Sequence, residues 1–289
     1  MVALAAAHPA GALAGPGRGG GAGRDGRSAL AMLGRAAAGG LRAMSTAGDR
    51  AVDGAAAEEG LTDAAVGARL KVCGITEPGE IDLLGTQGVD FVGLWHGVPG
   101  GPAELPLGDW RMLAAAAGAT PGLHPVLVTF LKDVEAMREA LAGSGVVWVQ
   151  LHGYQTPGLV RAVKRIAPEE IRVIKVLHVR GGDCVEGSLI ASYEKAGVDV
   201  FLLDALSEDG RVGSTGQSLD PEVAWRLAER MTRPFLLAGG ISAANRSDYD
   251  TLAGHPRFLG IDVDTNARGA DGLLEAEKVA AISLAWKGA

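Results

Sequence analysis

The stretches Ile171-Arg-Val-Ile-Lys-Val-Leu177 and Asp199-Val-Phe-Leu-Leu-Asp204 are short runs rich in β-branched and apolar residues. A segment of helical length, near 186–196, separates them. Short apolar runs that alternate with helical segments are typical of repeated βα units, in which the strands are parallel and buried. The same alternation continues in both directions, from Leu70 to the C-terminal end. The pattern therefore predicts an α/β domain over residues 70–287.

Working outward from this unit, we predict eight strands and eight helices. The strands are predicted near 70–74, 90–95, 123–129, 146–151, 171–177, 199–204, 234–238 and 258–263. The helices are predicted near 77–87, 108–118, 132–143, 157–167, 186–196, 220–231, 242–253 and 271–286, with capping side chains at Asp109, Asp133, Asp220 and Ser242 and terminating glycines at Gly88, Gly118, Gly143 and Gly197. An open doubly wound sheet would carry a glycine-rich dinucleotide loop after its first strand, and this chain does not. Eight βα units favour a single closed (β/α)₈ barrel, the TIM barrel.

Residues 1–65 differ in composition from the rest of the chain. Alanine and glycine dominate them, and they contain no aromatic residue. Such a segment buries too little apolar surface to offset chain entropy, so we predict a disordered extension. Before Met44 it holds five arginines, no lysine and one acid, Asp25. Three interpretations stay open: translation that starts at Met44, an organelle transit peptide, or a disordered functional tail.

A chain that starts at Met44 is expected to keep the thermal midpoint and the activity of the full chain. The physical reason is that residues 1–43 show no core-forming pattern. Thermal unfolding and turnover, measured side by side on both chains, test this expectation. A clear drop in either quantity would mean that the extension packs on the barrel.

Composition limits the partners and the compartment. The formal net charge is −7, and aromatic residues make up 4% of the chain, without a basic stripe, so nucleic acid is not predicted as a partner. Cys73 and Cys184 form neither a disulfide framework nor a metal spacing, which indicates a reducing compartment. No apolar run reaches the ~18 residues that a membrane span needs. We predict a cytoplasmic monomer or homodimer, or a protein of an organelle stroma or matrix if the extension is a transit peptide.

Three ionisable residues and a glycine pair stand where predicted strands end, which is where barrels of this class carry their active sites. Cys73 ends the first strand, His152 follows the fourth, and Asp204 ends the sixth. A buried apolar thiol is the plainer interpretation of the cysteine taken alone. An ionisable residue after four apolar ones, as at Asp204, is more typical of a catalytic group. Gly239-Gly240 after the seventh strand would expose backbone N–H groups at a helix N-terminus, which suits a phosphate, although a tight turn would also need them.

Taken together and in this order, four motifs resemble the phosphoribosylanthranilate isomerase family. The resemblance runs from Leu70 to the C-terminal end and leaves the extension outside. The motifs are Lys71-Val-Cys-Gly-Ile-Thr76, Gln150-Leu-His-Gly153, Leu202-Leu-Asp-Ala205 with Gly213-Ser-Thr-Gly216, and Leu237-Ala-Gly-Gly-Ile241.

The resemblance implies an aldose–ketose isomerase of tryptophan biosynthesis. Its reaction is an Amadori rearrangement, which turns an N-linked ribosylamine phosphate into an amino-deoxyribulose phosphate without a metal or an organic cofactor. By resemblance, Cys73 is the general base and Asp204 the general acid. The residues expected to bind the phosphate are Gly216, Gly239, Gly240, Thr265 and Asn266. Those expected to bind the rest of the substrate are Trp95, His96, His152 and Arg268.

Two segments depart from the family pattern. After the second strand the family carries Ser-Pro-Arg, whose arginine holds the anthranilate carboxylate, whereas Leu94–Pro106 contains no arginine. In the eighth strand, Asp264 stands where a small neutral residue is usual, and a carboxylate beside a phosphate needs a compensating cation such as Arg268. These two departures from the family pattern leave two alternatives open. One is a divergent isomerase for another sugar phosphate or a specialised metabolite, and the other is a ligand-binding barrel without turnover. Retention of both Cys73 and Asp204 argues against the second alternative.

Overall fold

Eight parallel strands close into a barrel in the computed structural model, which describes residues 67–167, 170–206 and 218–288. Neighbouring strands are hydrogen-bonded in the order β4-β3-β2-β1-β8-β7-β6-β5, and β5 also pairs with β4, which completes the ring. The predicted barrel is therefore confirmed. The strands are β1 (Arg69–Cys73), β2 (Phe91–Trp95), β3 (His124–Thr129), β4 (Trp148–Leu151), β5 (Arg172–Arg180), β6 (Val200–Ala205), β7 (Phe235–Leu237) and β8 (Phe258–Val263).

Eight α-helices of the described chain surround the barrel. They are α1 (Pro78–Thr86), α2 (Leu107–Ala119), α3 (Val134–Leu141), α4 (Pro157–Lys164), α5 (Ile190–Ala196), α6 (Pro221–Ala228), α7 (Asp250–Ala253) and α8 (Ala276–Lys287). Short 3₁₀ turns precede α5 and α7, and another follows β8. None of the described helices is long and apolar enough to cross a bilayer.

Helix ends show where local sequence signals succeed and where they fail. Asp133 and Asp220 accept hydrogen bonds from first-turn N–H groups of α3 and α6, as predicted. The prediction for Asp109 was wrong, because α2 begins at Leu107 and places Asp109 inside its first turn. Ser242 was also predicted as a cap, but it closes a loop with Asn245, and α7 starts later. Gly118 lies within α2 and does not terminate it.

Alternate residues of each strand face the barrel interior or the helices, as the two-residue repeat of a strand requires. The outer layer packs strand and helix residues into the larger apolar core. The inner layer contains Cys73, Phe91 and Trp148, and the last two rings meet edge to face at 5.1 Å between centroids. The interior of the barrel is thus filled with side chains. Polar side chains lie at the end of the barrel where the strands have their carboxyl ends.

Candidate active site

A cleft opens at the carboxyl ends of the strands. It collects residues that are far apart in sequence, because the ends of parallel strands meet at one rim of the barrel. Eight of the residues predicted for the site line it, whereas Gly216 lies outside the described residues. The lining is Cys73, Trp95, His152, Asp204, Ala238, Gly239, Gly240, Ile241, Asp262, Val263, Asp264, Thr265 and Asn266.

Cys73 lies at the carboxyl end of β1 and is 5% exposed. The indole nitrogen Nε1 of Trp95 lies 3.2 Å from its Sγ. Burial raises the pKa of the Cys73 thiol to about 11, while the Lys71 ammonium lowers it and the carboxylates of Asp262 and Asp264 raise it. The thiol is therefore mostly protonated at neutral pH. The Lys71 charge and the Trp95 indole N–H are the groups that favour its ionisation.

Beneath the thiol, Lys71 and Asp262 form an ion pair inside the barrel. The lysine Nζ lies 2.9 Å from Oδ1 and 2.8 Å from Oδ2 of the aspartate. Burial lowers the pKa of Lys71, but Asp262 and Cys73 raise it further, so the lysine stays charged. Burial raises the pKa of Asp262 to about 6, so that it too is ionised at neutral pH. Lys71 is fully buried below the cleft and does not line it, but its charge acts on Cys73.

Asp204 lies near the end of β6, three strands from β1 around the ring, and its Oδ2 is 3.4 Å from Nε2 of His152. The other ring nitrogen of His152 contacts the amide Nε2 of Gln150 at 3.0 Å. Burial lowers the pKa of His152, although Asp204 has the opposite effect. The lowered pKa keeps the ring neutral at neutral pH. The histidine therefore lies beside the aspartate as a neutral ring.

His178 is a residue of this region that sequence reasoning did not select. It is fully buried, and it pairs in register with Asp204 because β5 continues three residues beyond its predicted end, to Arg180. Its Nδ1 lies 2.7 Å from Oε1 of Glu186, whose other oxygen accepts the backbone N–H of His178. Its ring centroid lies 5.9 Å from that of His152. The short antiparallel pairing of Asp183–Cys184 with the end of β5 brings this glutamate into place.

Two glycines follow β7 and shape the side of the cleft predicted for the phosphate. Gly239 and Gly240 have φ values of 83° and 61°, which other residues adopt only with strain. Asn266 ties this loop to the one after β8, since its Nδ2 donates to the carbonyl oxygens of Gly240 and Ile241 at 2.9 and 3.0 Å. The prediction of a helix N-terminus directly after the glycines was wrong, because α7 begins at Asp250.

Arg268 was predicted to bind substrate, but its donors are engaged by protein groups and it is absent from the described lining of the cleft. Its Nε lies 2.6 Å from Oδ1 of Asp264, and its Nη1 lies 3.1 Å from Oε1 of Glu80. Its Nη2 donates to the carbonyl oxygens of Cys73 and Gly74. The guanidinium thus joins the loops after β1 and β8, and it supplies the cation that Asp264 was expected to need.

His96, also predicted to bind substrate, is not among the described residues that line the cleft. Its Nδ1 contacts the carbonyl oxygen of Leu105 at 2.9 Å. In the same loop the carboxylate of Glu104 accepts the backbone N–H groups of Gly97 and Val98 at 3.0 and 2.7 Å. The loop after β2 is therefore built around an internal carboxylate. Among the described residues that line the cleft, three are aspartates and none is a lysine or an arginine.

Comparison with known proteins identifies the family. The family model described as N-(5'phosphoribosyl)anthranilate (PRA) isomerase matches residues 115–283, more than half of the 289-residue chain. The N-(5'-phosphoribosyl)anthranilate isomerase of Natronomonas pharaonis is 31% identical over 214 residues, which cover 74% of this chain and 95% of that protein. This chain belongs to the phosphoribosylanthranilate isomerase family.

Other members of the phosphoribosylanthranilate isomerase family agree with this assignment. The isomerase of Gloeobacter violaceus is 35% identical over 179 residues, or 61% of this chain and 75% of that protein. The crystal structure of phosphoribosyl anthranilate isomerase from Thermus thermophilus aligns with a TM-score of 0.61 and 25% identity, over 75% of this chain and 97% of that one. The match to the family model begins at residue 115, after Cys73 and after the divergent loop Leu94–Pro106.

Proposed function

We propose that this chain is a phosphoribosylanthranilate isomerase that performs an Amadori rearrangement in tryptophan biosynthesis. The observation that carries the proposal is that Cys73 and Asp204, from strands on different sides of the barrel, line one cleft together with the glycine loop after β7. Membership of the family supports the same reaction. The substrate is a sugar phosphate with an aromatic amine on C1 of the ribose.

The proposed steps need one proton donor and one proton acceptor. Asp204 donates a proton to the ring oxygen as the C1–O bond breaks, and the nitrogen lone pair forms an iminium ion. Cys73, as thiolate, then removes the proton from C2, and the electron pair moves to give an enolamine. Tautomerisation of the enolamine yields the ketone, so atoms and charge balance without an oxidant or reductant. General acid–base catalysis of this kind contributes about 10²–10⁴-fold to a rate.

The loops after β7 and β8 are the proposed phosphate site. Gly239 and Gly240 carry no side chain that would keep a phosphate from the backbone, and Thr265 and Asn266 stand beside them in the lining. Asp264 lies among these groups, and its pairing with Arg268 at 2.6 Å offsets its negative charge. Dianion binding here thus depends on backbone N–H groups more than on a free cation, since the amide of Asn266 already donates to Gly240 and Ile241.

Turnover by the full chain tests the proposal directly. Purified protein should consume N-(5'-phosphoribosyl)anthranilate and form the amino-deoxyribulose phosphate, and its gene should restore growth of a tryptophan auxotroph that lacks this isomerase. The Cys73→Ala chain, expressed at the same level, is the matched control and should fail in both assays. A folded wild-type protein without turnover would contradict the proposed substrate.

A second candidate is an isomerase of the same family whose substrate lacks the anthranilate carboxylate. The loop after β2 favours it, because Leu94–Pro106 contains no arginine and places Glu104 at the centre of the loop. A carboxylate-bearing ring would meet no lysine or arginine among the described residues of the cleft lining. Arg211, which lies outside the described residues, is the remaining candidate for such a contact.

We expect a weak KM of the unmodified protein for N-(5'-phosphoribosyl)anthranilate, improved by a grafted arginine. Replacing Gly100–Pro102 with Ser-Pro-Arg should lower KM by about 10- to 150-fold, the equivalent of one charge-assisted contact of about 1.5–3 kcal/mol. The value of kcat should stay nearly constant, because uniform binding changes KM alone. Steady-state kinetics on both chains measure this.

The matched control for the graft carries Ser-Pro-Ala at the same positions. It shares any strain at residue 100, where the native glycine has a φ of 77°, and differs only in lacking the arginine side chain beyond Cβ. A KM that falls equally in both grafts would assign the change to loop geometry. A low-micromolar KM of the unmodified protein, with efficient turnover, would show that another cation already holds the carboxylate.

A further inference from the structure

We propose that Trp95 is a positioning residue for the general base: its indole N–H donates a hydrogen bond to Sγ of Cys73 and thereby stabilises the thiolate. The two atoms are 3.2 Å apart, and both side chains lie in the lining of the cleft. The inference rests on the proposed role of Cys73 as the base. It adds a neutral hydrogen-bond donor to the electrostatic effect of the Lys71 charge on the thiol.

The barrel builds this contact from two neighbouring strands. Cys73 of β1 is paired in register with Gly93 of β2, and Trp95 is two residues further on, so its side chain faces the same interior. A Cβ at residue 93 would lie 2.5 Å from Sγ of Cys73 and 2.9 Å from Nζ of Lys71. The glycine therefore leaves open the space that the thiol and the Lys71 ammonium occupy. Trp95 itself is 7% exposed, so water competes little for its N–H.

The charges around Cys73 explain why a neutral donor matters there. Lys71 lies on the same strand and favours the thiolate, but it is shared with Asp262 of β8. Asp262 and Asp264, the carboxylates on the β8 side, disfavour the thiolate, as does burial. Across the cleft stand Asp204 and the neutral His152. A hydrogen bond from the indole N–H is stronger to an anionic sulfur than to a neutral thiol, so it lowers the thiol pKa and offsets part of the effect of burial. Because the indole is neutral, it adds no buried charge that would itself need a partner.

The Trp95→Phe chain removes the N–H and keeps a flat aromatic ring. Alkylation of Cys73 by iodoacetamide, followed from pH 6 to 11 and assigned by mass spectrometry of the peptide, reports the thiolate fraction without any substrate. Loss of the donor raises the thiol pKa, which moves the alkylation profile to higher pH. We expect a shift of about one pH unit, or roughly tenfold slower alkylation of Cys73 at pH 8. Cys184, read in the same experiment, should not change.

Trp110→Phe is the matched control. Trp110 is fully buried, and its indole N–H donates to the carbonyl oxygen of Leu94 at 3.3 Å, so its loss removes a buried indole donor without touching the thiol. Its alkylation profile should equal that of the wild type. An unchanged profile in Trp95→Phe, or an equal shift in both variants, overturns the proposal.

Two further measurements separate this role from a merely structural one. At a given pH, kcat of Trp95→Phe should fall by the same factor as the alkylation rate of Cys73, with a smaller change of KM. If Trp95→Phe does not fold, incorporation of 5-fluorotryptophan keeps the ring shape and makes the N–H more acidic, and it should lower the alkylation midpoint of Cys73. No lowering overturns the proposal. Because the thiol titration needs no substrate, its failure is distinct from a lack of isomerase turnover.

Discussion

Replacing Cys73 with alanine is expected to reduce kcat by about 10²–10⁴-fold, the usual contribution of one positioned base. In the proposed reaction the sulfur is the group that takes the proton from C2, and the described cleft has no second thiol. Below the thiol pKa of about 11, the thiolate fraction rises about tenfold per pH unit, so alkylation of wild-type Cys73 by iodoacetamide should accelerate with pH through neutrality. The Cys73→Ala chain should lack this alkylated peptide as well as the turnover.

Cys184→Ala is the control for this experiment. Cys184 sits on the short antiparallel pairing at the end of β5, is partly exposed and does not line the described cleft. Its removal should leave kcat and its pH dependence unchanged. Thermal midpoints of both variants, measured by circular dichroism, show whether the barrel remains folded. A Cys73→Ala protein with near wild-type kcat would remove Cys73 from the mechanism.

Asp204→Asn is expected to cause a loss of similar size, again about 10²–10⁴-fold in kcat. The amide has nearly the shape of the carboxyl group and keeps a polar contact with His152, but it has no acidic proton for the ring oxygen. KM should change far less than kcat, since the phosphate loops after β7 and β8 are untouched. Single-turnover and steady-state measurements on the purified chain separate the two effects.

The matched control for the acid is Asp199→Asn, just before the other end of β6. Asp199 accepts the backbone N–H of Val173 at 2.7 Å and pairs with Lys164 at 3.0 Å, so its role is structural. Its amide variant should lower the thermal midpoint and spare kcat, whereas Asp204→Asn should do the reverse. Equal losses of kcat in the two variants would indicate that Asp204, like Asp199, stabilises the fold and is not the general acid.

Local sequence signals located the elements well, because burial on both faces of a barrel strand leaves a run of apolar residues. β5 and β6 contain the two runs from which the barrel was inferred. Signals at helix ends were less dependable: Asp133 caps α3, but Asp109 lies inside α2. A capping residue and a first-turn residue look alike in sequence, and packing of the helix on the barrel decides which one it is.

The position of the candidate site followed from the barrel rule, since any ionisable residue at the carboxyl end of a strand must reach the same rim. The partners of those residues did not follow. Arg268 was expected at the substrate, but Glu80 of α1 and the carbonyl oxygen of Cys73, both distant in sequence, engage its guanidinium. His178 was passed over because the end of β5 could not be placed beyond residue 177 from the apolar run alone.

The sequence by itself determined the barrel, the order of its strands along the chain, and the strand ends that carry Cys73, Asp204 and the glycine pair after β7. It could do so because strand alternation and strand-end position are properties of short, contiguous segments. Tertiary structure alone decided that Trp95 donates to Cys73 and that Glu186 holds His178. Those contacts depend on the register between strands and on the paths of the loops. Packing across the whole barrel sets both, so neither can be predicted from any single segment of the sequence.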